Sequence, residues 1–476
     1  MVIVRGTRHQ EAGRPTLAPT VLGASSHAGA ASWATLPPSE HSCVGNDSRG
    51  DAWIRTTCAY QNVCYHPAQQ AFLYISKLSQ HAISKVSLSP AAAYWKAPAW
   101  PLEFTVVDTP ALAEAYFHNK TVVRLRDLFV VYASYHAENF GHFIADELLP
   151  AFRAMQLFDA VDSGVHLLRV KYPNPWDFAW TCDWNAAIGD SGKGYYGIDF
   201  YDRCTKNYLK LTPLLTSAAA VALNDTLTDP GKVYCFDRML AGVGKAVGSA
   251  STAGLLVFLA NMMRPRRRPA GYLSDHCLDR DEHGRYPERL TDHVCNHGMS
   301  AQLWQFRSHC LQRVGIQAEA PAGKPKELLV VISTSSTAPK QAASPRNYTG
   351  YDEIVSAITN KFSNSRECGV RVAVRLAHLA SMELKAQLQL AAAAAVMVTV
   401  SGGGSFNLLF QPRWSTALVF AGNGPHYDRE FFAQLGHVSV EFLSHSEGGA
   451  DVDAAAALKI VGHGLHRFCS MHDFAS

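Results

Sequence analysis

The apolar positions of the chain change period along its length, and the changes mark its elements. Leu128–Ser134 is short, apolar and rich in β-formers, which predicts a buried strand. Directly after it, Ile144, Leu148, Phe152 and Met155 recur at helical spacing and predict a helix over Phe143–Phe158. Upstream, Cys58, Cys64 and Phe72–Ile75 mark a cysteine-tied strand region. Lys232–Phe236 reads as a short strand before a glycine-bearing stretch that runs to Gly248. Residues 160–215 are aromatic and irregular, and residues 264–300 are polar enough to read as a long loop. From Leu328 a new pattern begins: strand Leu328–Ile332, helix Asp352–Phe362, strand Val370–Arg375, helix Ser381–Ala393, strand Ala394–Val400 and a helix opening at Phe406. Strands alternating with helices across short loops predict a parallel, doubly wound sheet, so the fold class is α/β. The alanine runs at 391–395 and 454–457 fall inside predicted helices.

These shifts divide the chain into four parts. Residues 1–42 are rich in Ala, Gly, Ser, Pro and His without apolar period and are expected to be disordered. Residues 43–321 form an N-terminal α/β domain, and the linker Ala322–Pro325 leads to a Rossmann-like domain over 327–445. Residues 446–476 form a C-terminal helical tail. A length of 476 residues suits two such domains, and 47% hydrophobic content excludes global disorder. The net charge of +3 and the isolated, proline-broken run Arg264–Arg268 give no nucleic-acid footprint, so no nucleic-acid partner is expected.

Eleven cysteines without a CxxC, together with N-x-S/T sequons at Asn46, Asn119, Asn224 and Asn347, lean toward disulfides and the secretory pathway. Clustering predicts that Cys58 and Cys64 share a cysteine-tied unit, with one of them or Cys43 in a disulfide. Against this, Met1–Pro38 holds no run of seven or more apolar residues, so neither a signal h-region nor a membrane anchor is visible there.

Two segments carry candidate chemistry. In the first, His136 to Asp146, His142 and Asp146 stand four apart at a strand-to-helix junction. A carboxylate on the same helical face orients an imidazole and raises its basicity, as a general base requires. The plainer alternative is ordinary polar capping. H-x-E-x-x-x-H is not the HExxH zinc pattern, and no metal is assigned. In the second segment, Ser401-Gly402-Gly403-Gly404-Ser405-Phe406-Asn407 lies between a strand and a helix, where bare backbone amides make an anion cradle. Its plainer alternative is a tight turn needing positive φ. Arg346, in the loop after strand Leu328–Ile332, offers a guanidinium to the same anion. The triplets Asp279–Asp281 and Asp451–Asp453 follow no clear apolar strand and are poor metal-diphosphate sites. The histidines and cysteines between His276 and Cys310 lack a paired zinc arm.

The first motif, H-x-E-N-F-G-H-F-I-x-D-E-L-L-P from His136 to Pro150, closely resembles the N-terminal signature of glycosyltransferase family 61. Val233–Arg238 with Gly242, Arg346-Asn347 with Glu353–Val355, Ser381–Glu383 with Gln387-Leu388, and Ser401–Pro412 are similar, in order, to that family's later segments. Where the family carries His-Gly-Ala in its donor loop, this chain has Gly403-Gly404-Ser405. The resemblance implies a GT-B fold of two Rossmann-like halves with an interdomain cleft. It also implies inverting, metal-independent transfer from a UDP-sugar co-substrate to a glycan or glycoprotein acceptor, with no further cofactor, in the lumen of the endoplasmic reticulum or Golgi. It assigns His142 as base, Asp146 as its orienter, and Glu138 and Asn139 as acceptor-side groups. Arg346, Ser401, Gly402, Gly403, Gly404, Ser405 and Asn407 would receive the donor. The alternative is a non-catalytic glycan- or nucleotide-binding relative. A phosphatase with a histidine nucleophile would need a second basic clamp beside His136–His142, and none is visible.

Overall fold

The computed structural model describes residues 24–25, 35–44, 56–76, 83–88, 101–134, 137, 139–161, 164–170, 200–218, 221–242, 300–318, 325–333, 351–421, 431–432, 435–444 and 454–473. It is α/β, with two large sheets.

The first sheet is built around four parallel strands: β1 (Thr121–Ala133), β2 (Val165–Val170), β3 (Val221–Ala222) and β4 (Lys232–Ala241). They lie in the order β3-β2-β1-β4, every neighbour parallel. Val130 is centred between Leu167 and Leu240. The second half of β1, Leu128–Ala133, reads continuously apolar because both faces are covered there. Beyond β4, Thr57–His66 and Ala71–Ile75 add as antiparallel strands, and Phe104–Val107 closes that side. Glu40–Val44 pairs with Thr57–His66, and Ala24–Ser25 pairs with β1.

The second sheet holds β5 (Glu327–Ser333), β6 (Val370–Ala377), β7 (Ala394–Val400), β8 (Ser415–Ala421) and β9 (Val438–Ser444). Their order is β6-β5-β7-β8-β9, all parallel, with the short strand Arg366–Glu367 antiparallel at the β6 edge. Helices Tyr351–Phe362 and Ala454–Asp473 cover one face through Ile354, Ile358, Val461 and Leu465. The other face joins the first sheet in one continuous core. That core contains Val130 and Leu167 from the first sheet, Phe152 and Phe306 from intervening helices, and Val331 and Met397 from the second.

Several expectations change. Order begins before residue 43: Ala24–Ser25 is paired, Leu36 is buried, and the Ser39 hydroxyl donates to the Asn62 carbonyl while accepting from the Ile75 amide. The stretch 160–215 contains β2 and the helix Phe200–Leu211. β2 is a buried parallel strand of only six residues set among aromatics, too short for its period to show. The alanines 391–395 straddle the end of helix Leu384–Ala393 and the start of β7. Residues 446–476 are expected as a helical tail; the helix there, Ala454–Asp473, instead presses so close to β7 and β8 that a Cβ on Gly464 would strike Thr416. Residues 264–299 and both D-x-D triplets lie outside the described residues.

Three disulfides are formed among the described residues: Cys43–Cys58, Cys64–Cys235 and Cys368–Cys469. The first two bond the strand Thr57–His66 to its neighbours on either side. Cys43 and Cys58 thus fulfil the expected pairing in the cysteine-tied strands, while Cys64 reaches to β4. Among the described residues no helix is long and apolar enough to cross a membrane.

Candidate functional site

Both singled-out segments leave the carboxyl end of a strand at the point where the strand order reverses. The first follows β1, beside β4, and the second follows β7, beside β5. In open parallel sheets, ligands bind at such switch points.

After β1 the chain enters a helix through Asn139, whose Oδ1 accepts from the Gly141 amide at 2.9 Å. This caps the first turn, so Asn139 is occupied as a helix cap. Phe140–His142 is α-helical, Phe143–Leu148 is a π-helical turn, and Leu149–Leu157 is α-helical again. Pro150 accounts for the wide turn. It has no amide to give the Asp146 carbonyl and its ring crowds that carbonyl, so the backbone bonds before it lengthen. Across the wide turn His142 Nδ1 donates to Asp146 Oδ2 at 2.7 Å. Asp146 is 3% exposed, while the His142 side chain keeps 28% of its surface. A carboxylate that accepts from Nδ1 makes Nε2 the basic ring nitrogen. Glu138, the other predicted acceptor-side group, lies outside the described residues, as does His136.

Sequence reasoning passed over Glu147. Its carboxyl is buried at the end of β1, accepting from the Ser134 hydroxyl at 2.6 Å and from the Tyr208 hydroxyl at 3.4 Å. Burial pushes its pKa up to about 8, against the lowering pull of the Ser134 bond and the Arg169 charge. The Arg169 guanidinium itself stacks over the Tyr208 ring at 4.8 Å. The signal was present: Glu147 stands three residues after Ile144 and four after Phe143, on the face that packs inward.

The second segment is a turn into a 3₁₀ helix, Gly403–Phe410. Gly402 has φ of 138° and ψ of −169°, a conformation that is essentially glycine-only. The Ser405 amide and hydroxyl both donate to the Gly402 carbonyl, at 2.9 and 2.5 Å. Ser401 donates its amide to Phe420 of β8. Gly404 faces open space. Asn407 is fully buried; its Nδ2 donates to the Gly404 carbonyl, and its Oδ1 has no hydrogen-bond partner among the described residues. The far end of the 3₁₀ helix is fixed by the buried Arg307, whose Nε donates to the carbonyls of Phe410 and Gln411 at 3.1 and 2.7 Å. His437, which burial holds at a pKa of about 3 and so neutral, donates Nε2–H to the Leu409 carbonyl.

These two segments touch. A Cβ on Gly141 would strike the Phe406 ring and approach Gly403 Cα, and a Cβ on Gly403 would strike Asn139 Oδ1. His142 and the Gly402–Ser405 turn therefore belong to one locale built from both sheets. Lys210 adds a tie between the halves by donating to the Met382 carbonyl at 3.1 Å. Arg346 lies outside the described residues, in the segment that leaves the carboxyl end of β5. In the looser histidine–cysteine group, Cys310 is a buried free thiol and His309 bonds the Leu215 carbonyl at 3.2 Å.

In chemical terms the locale offers an imidazole oriented by a carboxylate, beside a glycine-lined turn whose Gly404 faces open space. Against known proteins, no family model matches the chain and no curated protein sequence matches it.

Proposed function

We propose that the chain is an inverting glycosyltransferase of GT-B type, akin to family 61, moving a sugar from a UDP-sugar to a hydroxyl of a glycoprotein or polysaccharide. The observation that carries this reading is the contact between the helix of His142 and the Gly402–Ser405 turn, each at a switch point of its own parallel sheet. The acceptor hydroxyl attacks the anomeric carbon, its proton passes to His142 Nε2, and UDP departs. Asp146 holds the ring in the required tautomer and balances the imidazolium. Stabilisation of the leaving diphosphate is assigned, by the resemblance, to the Gly402–Ser405 turn and Arg346. The disulfides Cys43–Cys58 and Cys64–Cys235 support an oxidising compartment, the lumen of the endoplasmic reticulum or Golgi.

The first test incubates the chain with UDP-xylose, UDP-GlcNAc and UDP-arabinose and follows slow donor hydrolysis. His142→Ala is expected to abolish turnover while UDP affinity by calorimetry stays within about twofold, since a base contributes little to donor binding. Loss of UDP affinity in His142→Ala would overturn the assignment of His142 to the acceptor side. A second reading, a nucleotide-binding relative without catalysis, is favoured by Gly403-Gly404-Ser405 standing in place of the family's histidine. It predicts UDP binding with no hydrolysis of any donor.

A further inference from the structure

At the opposite end of the second sheet lies a cluster that the proposed transfer does not use. Cys368 occupies the tight turn between Arg366–Glu367 and the amino end of β6, with φ of 49°, and Gly369 follows at 76°. His466 and Cys469, three apart on helix Ala454–Asp473, both reach that turn. Cys368 Sγ stands 3.8 Å from His466 Nδ1 and is bonded to Cys469. The three candidate ligand atoms all lie within 4.8 Å of one another, and no other such trio occurs among the described residues.

We propose that Cys368, His466 and Cys469 form a thiol-gated zinc site, binding one Zn²⁺ when their disulfide is reduced. Two thiolates and an imidazole are a donor set that zinc favours over harder cations, with water completing a tetrahedron. The Sγ–Nδ1 spacing of 3.8 Å is close to the edge of a tetrahedron built on bonds of about 2.3 Å to sulfur and about 2.0 Å to nitrogen. Only the two sulfurs have to part, and Cys368 sits half-buried in an edge turn that has room to shift. His466 Nε2 lies 3.5 Å from the Ser470 hydroxyl one turn on, the kind of outer partner that holds a ligating ring in place. In the reaction a small-molecule dithiol gives two electrons and two protons to the disulfide and leaves as its own disulfide. Zinc then displaces two protons from the thiols. Helix and sheet edge are thereby tied covalently in one state and through the metal in the other.

The test uses the full chain, reduced with dithiothreitol, freed of it without air, and titrated with Co²⁺ as a spectroscopic stand-in. The reduced chain is expected to show thiolate-to-cobalt charge transfer and tetrahedral visible bands at one metal per chain, displaced by Zn²⁺, while the oxidised chain shows none. His466 is exposed, so His466→Ala folds, and it should weaken binding at least about tenfold. Cys368→Ser should remove the bands. Absence of the bands from the reduced chain, or binding by His466→Ala and Cys368→Ser as tight as by the unsubstituted chain, would overturn the site.

Discussion

At neutral pH the Glu147 carboxyl keeps its proton, because burial between Ser134 and Tyr208 disfavours the charged form more than Arg169 favours it. The unfolded chain releases that proton near pH 4.5 and the folded chain near 8. The native state therefore binds the extra proton across that window, and stability falls as pH rises through it. Each pH unit removes up to about 1.4 kcal/mol. Chemical denaturation of the wild type and Glu147→Gln from pH 4 to 9 should show a falling slope in the first that flattens in the second, with the variant the more stable at pH 8. Parallel curves would refute a buried, proton-retaining Glu147. His142 and Asp146 were readable from their four-residue spacing alone, since any helical turn brings such residues together. The role of Asn139 was not, because whether an asparagine caps its own helix depends on the turn that precedes it.

The turn after β7 shows how an element divides its glycines by task. Gly402 supplies a left-handed backbone and Gly403 supplies clearance for Asn139, while Gly404 meets nothing. Gly402→Ala should cost about 1–3 kcal/mol from backbone strain. Gly403→Ala should cost a comparable amount by displacing the cap, and Gly404→Ala should stay within about 0.5 kcal/mol. Urea unfolding of the three variants checks this ranking, and an equal loss at all three would contradict the division. Elements with a clear local pattern, such as the helical period of Tyr351–Phe362 and the short apolar run of β7, were legible because pattern and burial agree there. The wide turn at Phe143–Leu148 was hidden because apolar spacing reports a helix without reporting its pitch, although Pro150 was the available sign. The 3₁₀ helix Gly403–Phe410 was read as an ordinary helix start for the same reason.

Across the whole molecule, pairings between distant segments carry much of what no local pattern could give. Cys64 and Cys235 are 171 residues apart, and their bond joins the antiparallel strands to β4. In the chain-entropy account such a closure stabilises by about 5 kcal/mol, against about 3 for the 15-residue separation of Cys43–Cys58. The Cys64→Ala/Cys235→Ala double variant should accordingly melt below the Cys43→Ala/Cys58→Ala one in calorimetry, and the reverse order would count against that account. The seam between the sheets has a mechanical consequence of its own. Gly141 sits hard against the Phe406 ring and Gly403 against Asn139 Oδ1, so the two segments act as a fulcrum with almost no slack. Any rotation that parts the sheets there must first lift Gly403 off Asn139, which is also the residue that starts the His142 helix. Widening the seam and loosening the turn that aims the imidazole would then be a single event, and the molecule would lose its aim in proportion as it opens.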